Sequence, residues 1–171
     1  MIIIINGSVG VGKTAVSWKI KRLLYHSVML DGHYLGAVNP FDLHSNERIL
    51  HLYKTMACLV KFHQQNGFKH FIVNYVFESE DQLNLLIAEL ARFDETIYCC
   101  LLYCEEEQQK QRIEKRNNQR LAFELQRAVE LNYILTKANE IGFIGKRLNT
   151  TNLTTDDVAT AIVEKAQQAG Y

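Results

Sequence analysis

Gly7, Gly12, Lys13 and Thr14 stand at the spacing G-x-x-x-x-G-K-[ST], a pattern in which each residue type answers a requirement of phosphate binding. Glycine lets the backbone N–H groups of Ser8, Val9, Gly10 and Val11 curl around an anion without interference from a Cβ atom. A helix opening near Gly12 would point its positive end at the same place. Lys13 is long enough to reach β- and γ-phosphates, and the Thr14 hydroxyl is a hard-oxygen ligand for Mg²⁺. The expected chemistry is the binding of a nucleoside triphosphate.

Further groups could act on such a ligand. Asp31 follows a short apolar run, Val28-Met29-Leu30, and precedes Gly32. A carboxylate there could accept the proton of an attacking hydroxyl or hold the metal ion, and equally could simply form an Asp-Gly turn. Arg112, Arg116 and Arg120 recur every four residues. On a continuous helix they would share one face and neutralise a transferring phosphoryl group, unless they form a solvated face paired with Glu105, Glu106, Glu107 and Glu114. His33, Tyr34, Asn39, Arg48, Asn74 and Tyr75 are candidates to contact an acceptor molecule, with a loop anchor or helix-surface group as the plainer alternative.

These residues need elements to position them. Ile2–Ile5 reads as a buried strand running directly into the glycine loop, and residues 14–25 carry an apolar stripe at helical spacing through Val16, Ile20, Leu23 and Leu24. Residues 33–46 read as irregular. A long helical pattern spans Glu47 to Gln65, and Phe71–Phe77 reads as a third strand. Ser79 with Gln82 and Thr154 with Asp157 suit capping boxes, opening helices that run to about Arg92 and about Ala169. Between them lie a fourth strand at Thr96–Tyr103, a polar helix from Glu105 to Lys115 and the interruption Arg116-Asn117-Asn118-Gln119-Arg120. A helix from Ala122 to Asn139 and a fifth strand at Lys146–Asn149 follow. Continuous apolar strands alternating with helices predict a three-layer α/β/α fold, a parallel sheet covered on both faces. Ligands of such sheets bind beyond the carboxyl ends of the strands, which groups Asp31, Asn74, Tyr75 and Cys104 with the phosphate loop.

At 171 residues the chain suits a single domain. Its zero formal net charge implies no broad nucleic-acid or anionic-membrane surface. The initial apolar run is too short for a signal peptide or a membrane span. Cys58, Cys99, Cys100 and Cys104 form no C-x-x-C pair and read as buried reduced thiols, and the six histidines lack metal-ligand spacing. A cytoplasmic enzyme is the expectation, monomeric or homodimeric, acting on a small molecule.

On Gly7–Thr14, Leu30-Asp31-Gly32, the arginines from Arg112 to Arg120, and Asn149-Thr150-Thr151-Asn152-Leu153, the chain resembles the small P-loop kinases: adenylate, shikimate, gluconate and adenylylsulfate kinases and the chloramphenicol phosphotransferase. The resemblance implies a five-stranded parallel sheet in order 2-3-1-4-5, ATP and Mg²⁺ as cofactors, and transfer of the γ-phosphate to a small-molecule hydroxyl or phosphate. It further implies a lid around residues 105–121 with Arg112 and Arg116 over the phosphates and Arg120 towards the acceptor. Asn152 would lie beside the adenine ring, and Thr14 and Asp31 would serve the metal. Two departures stand out: His33 where related chains tend to read the second acid of Asp-Gly-Asp, and Asn74 where they often place an acid. The alternative reading is a nucleotide-binding switch or NTPase with no small-molecule acceptor; a nucleic-acid end kinase would need a basic channel that the balanced charge does not suggest.

Overall fold

The computed structural model describes residues 1–171 except Phe41, Leu43, His44, Glu95, Asn117, Asn118 and Tyr171. The central strand is β1 (Ile2–Gly7), every residue of which is buried. It pairs in parallel with β3 (His70–Asn74) on one side and β4 (Ile97–Tyr103) on the other. Outside these lie β2 (Ser27–Asp31) and β5 (Lys146–Asn149), completing an all-parallel sheet in the order β2-β3-β1-β4-β5.

Four consecutive isoleucines are required because β1 has no solvent face. Strand side chains alternate between the two faces. Ile2 and Ile4 enter a core with Leu52, Tyr53 and Met56 of α3 (Asn46–Gln65) and Leu83 and Leu86 of α4 (Glu80–Leu90). Ile3 and Ile5 enter the opposite core with Val16 and Ile20 of α1 (Lys13–Leu23) and Val158 and Ile162 of α7 (Thr155–Gln168). Each fully buried aliphatic side chain is worth roughly 2 kcal/mol relative to exposure, so both helical layers are held to one strand. A smaller cluster seats α6 (Leu121–Ile141) through Leu131 and Leu135 against Leu101 and Ile144. The remaining helices are α2 (Gly32–Leu35) and α5 (Glu106–Glu114).

Three local expectations are corrected. The third strand stops at Asn74, not Phe77, because the buried Asn6 side chain takes over the backbone beyond it: Oδ1 accepts from Phe77 N (2.9 Å) and Nδ2 donates to Phe77 O (3.0 Å) and Ile144 O (3.1 Å). Residues 33–35, within the stretch read as irregular, belong with Gly32 to the single turn of helix α2, capped by Asp31 Oδ1 accepting from His33 N (2.9 Å). Ser79 caps α4 by accepting from Gln82 N (3.2 Å), but the return arm goes one residue earlier, from Glu78 N to Gln82 Oε1 (2.9 Å). The box at Thr154 and Asp157 closes in both directions. Of the cysteines, Cys99 and Cys100 are buried, whereas Cys58 is exposed on α3. Among the described residues no helix is long and apolar enough to cross a membrane.

Candidate active site

The glycine loop connects β1 to α1. Gly12 is the N-cap of α1 at φ 101°, a left-handed conformation that side-chain-bearing residues rarely adopt. Gly10 (φ 83°) is required for a second reason: a Cβ there would lie 2.7 Å from Ile113 Cγ1 on α5. Lys13 starts α1 and folds back over the loop, Nζ donating to Ser8 O at 3.0 Å. It is only 8% exposed. Burial lowers its pKa from 10.5 to about 8; the positive charge of Arg116 contributes in the same direction, and Asp31 opposes.

The register of the sheet aligns Asp31 with Asn74. With Thr14 at the first turn of α1 they form a compact group: Asn74 Nδ2 donates to Asp31 Oδ2 (2.8 Å) and to Thr14 Oγ1 (3.0 Å), and Thr14 Oγ1 lies 3.5 Å from Asp31 Oδ2. Among the described residues there is no group of three or more His, Cys, Asp or Glu that could hold a metal ion. Mg²⁺ in phosphate sites, however, is bound through one or two protein oxygens together with phosphates and waters. One carboxylate and one hydroxyl suit that mode, and beside them the buried Asn74 Oδ1 has no partner among the described residues. His33 is exposed, yet partial desolvation and the Lys13 ammonium hold its imidazole below the ordinary value against a smaller pull from Asp31.

The three spaced arginines do not share a helical face. α5 ends at Glu114, Arg116 lies beyond it, and Arg120 is the N-cap of α6; Asn117 and Asn118 between them fall outside the described residues. Arg112 turns towards the loop before α7, donating to Thr150 Oγ1 (3.1 Å), Thr150 O (2.7 Å) and Thr151 O (3.3 Å). Arg116 pairs with Glu124 at 3.1 Å. Arg120 instead lines a cavity of about 700 Å³, together with Val9 of the phosphate loop, His33, Arg48, Tyr75 and Phe123. Arg127 and Glu78, an ion pair, complete its charged wall. Asn39 also borders this cavity. Arg48 donates to Asp42 O (2.7 Å) and Tyr75 Oη (3.4 Å). Tyr34 is 82% exposed and outside the cavity wall. Asn152 is exposed in the loop before α7.

The AAA domain family matches residues 3–130. The chain belongs to that family. No curated protein matches this AAA domain in sequence, but solved structures match its fold over nearly the whole length. The tunicamycin resistance protein of Deinococcus radiodurans superposes with a TM-score of 0.68 at 16% identity, covering 97% of this chain and 95% of its own. A gluconokinase from Sinorhizobium meliloti reaches 0.70 at 11% identity (98% and 91%). Shikimate kinase from Acinetobacter baumannii, solved with shikimate, reaches 0.65 at 18% identity (98% and 93%). The fold is therefore that of the P-loop kinases.

Sequence reasoning missed Gln109. This buried residue of α5 donates through Nε2 to Ser8 Oγ (3.1 Å) and to Val9 O, and its Oε1 accepts from Asn132 Nδ2 of α6 (2.8 Å). Ser8 Oγ also bonds Ala128 O of α6 (3.3 Å). The first half of the phosphate loop is thus fastened to both helices that follow β4. The only sequence signal was a glutamine within a polar helix. Gln109→Ala is expected to destabilise the AAA domain by about 2 kcal/mol, because it orphans buried partners; urea unfolding checks this.

The buried Lys13 also makes a pH prediction. Its folded pKa is depressed below 10.5, so between about pH 8 and 10.5 the unfolded chain binds more protons, and this residue's contribution to stability rises with pH. Cys99 and Cys100, which burial pushes up to about 12, act in the opposite sense above pH 9. The difference in urea stability between wild type and Lys13→Met isolates the lysine: the advantage of the methionine protein should shrink from pH 7.5 to pH 9.5.

Proposed function

We propose that the protein is an ATP-dependent phosphotransferase that moves the γ-phosphate to a small-molecule acceptor. The observation that carries this reading is the cavity of about 700 Å³ that shares Val9 with the phosphate loop and lies beside the Asp31 segment through Gly32 and His33. A switch protein needs no such second compartment. The similarity to gluconokinase and shikimate kinase folds supports the same reading.

In this reading the loop N–H groups and Lys13 hold the phosphates, and Arg116, whose charge already acts on Lys13, joins them from beyond the end of α5, which is itself fastened to the loop through Gln109. Thr14 and Asp31 would hold Mg²⁺, which supplies neutralising charge to the β- and γ-phosphates. Asp31 accepts the proton of the acceptor hydroxyl. Arg112 acts by fastening the loop of Thr150 and Thr151, beside which Asn152 and the adenine would sit. The acceptor is an anion: Arg48, Arg120 and Arg127 face its cavity with Glu78 as the carboxylate among them, and Tyr75 and Phe123 offer ring surfaces. The four free thiols suit a reducing cytoplasm.

The test is ADP release from Mg-ATP with separate pools of sugar acids, nucleotides, nucleosides and hydroxylated antibiotics. Stimulation by an anionic pool supports the proposal. ATP binding without stimulation by any pool would favour the switch.

A further inference from the structure

The Asn74 side chain is 0% exposed and lies where β3 ends between the phosphate loop and β2. An amide nitrogen has two N–H donors, and both have acceptors here, Asp31 Oδ2 at 2.8 Å and Thr14 Oγ1 at 3.0 Å. Chemistry dictates this orientation. An ionised carboxylate only accepts, and a half-turn of the amide would set two oxygens at that same short separation. The consequence is that Asn74 Oδ1 is buried with no partner among the described residues, an arrangement that ordinarily costs stability.

The two oxygens bridged by the amide are the hard donors that the proposed kinase would use for its cation. An amide N–H group carries partial positive charge, so it satisfies both oxygens in the manner of a cation, only more weakly. We propose that Asn74 is a positioning residue whose amide nitrogen takes the cation's place between Thr14 and Asp31 in the nucleotide-free protein, so that the divalent ion is admitted only together with the nucleotide phosphates. The proposal rests on the kinase reading for the role of Thr14 and Asp31. A neutral residue leaves the pair with a single carboxylate, too little charge to strip a strongly hydrated ion of its waters. The negative charge of a triphosphate supplies what is missing and displaces the amide. The waters of a hydrated cation are donors of the kind that Oδ1 lacks.

An aspartate at this position would reverse the logic. Asn74→Asp places a second carboxylate against Asp31 and turns the pair into a seat that favours a cation even without nucleotide. Mn²⁺ serves as the probe, its unbound fraction followed by electron paramagnetic resonance. Without nucleotide, Asn74→Asp is expected to bind Mn²⁺ at least about tenfold more tightly than wild type and to gain more thermal stability from it. Adding a non-hydrolysable ATP analogue should bring wild type to one tightly held Mn²⁺. Should the aspartate variant fail to fold, Asn74→Ala is read with the ATP analogue present: it removes the competing N–H donors without adding charge, so its Mn²⁺ should be held more tightly than in wild type. Equal nucleotide-free affinities in wild type and a folded aspartate variant, or equal affinities of wild type and the alanine variant with the analogue bound, overturn the role of Asn74 alone. Failure of wild type to bind the analogue overturns the kinase reading and this proposal with it.

Discussion

Replacing Lys13 with alanine is expected to reduce ATP turnover by at least about a hundredfold while leaving the protein at least as stable as wild type at pH 7. The two halves of that result have one cause. Lys13 is a buried ammonium whose Nζ, among the described residues, bonds one loop carbonyl, Ser8 O. Burial has already lowered its pKa to about 8, which means that the charged form is disfavoured in the folded protein. The ammonium regains full compensation only from an anion seated in the loop, so its interaction grows as charge gathers on the transferring phosphate. Alanine removes both the penalty and the partner. Phosphate release assays combined with thermal unfolding check it. Normal turnover would refute the assignment of the loop, whereas lost turnover accompanied by lost folding would make Lys13 a structural residue.

Asp31→Asn is expected to lower the phosphoryl-transfer rate by at least about a hundredfold, with a smaller change in the KM for ATP. Asp31 uses both carboxylate oxygens: Oδ1 caps α2 at His33 N, and Oδ2 receives Asn74 Nδ2. An asparagine has one acceptor oxygen, so one of those bonds is lost, at a cost of about 1 kcal/mol. That modest destabilisation cannot account for a hundredfold rate loss in a protein that remains folded. Single-turnover rates beside urea unfolding separate the two effects. A near-normal rate would leave Asp31 with only its capping role, the Asp-Gly turn that its sequence context equally allows.

Much of the fold was legible because β1 cannot be anything else. Ile2–Ile5 leads into a glycine loop, and a strand without a polar face must be covered by helices on both sides, which demands the α/β/α layering that is found. The capping box of α7 was readable for a similar reason, since Thr154 and Asp157 act within one turn. The early end of β3 was hidden because Asn6, distant in sequence, captures the backbone of Phe77. Periodicity reports neighbours along a chain and carries no record of such a partner.

The site divides along the same line. Gly7–Thr14 is a local object: its spacing, glycine backbone and helix start are contained in eight consecutive residues, so sequence alone determined the phosphate loop, and the apolar strands alternating with helices determined the α/β/α class; the kinase-type strand order followed from the resemblance to the small P-loop kinases. The arginines show where that reasoning stops. Spacing of four specifies one face only while a helix continues, and α5 ends at Glu114. Arg112 is drawn to Thr150, Arg116 to Glu124 and Arg120 to the cavity wall. Tertiary structure alone decided these destinations. It also decided that Gln109 fastens the phosphate loop, and that Asn74 lies between Thr14 and Asp31. The physical reason is that a hydrogen bond depends on distance through space, and these partners are brought together only when the sheet sets its register.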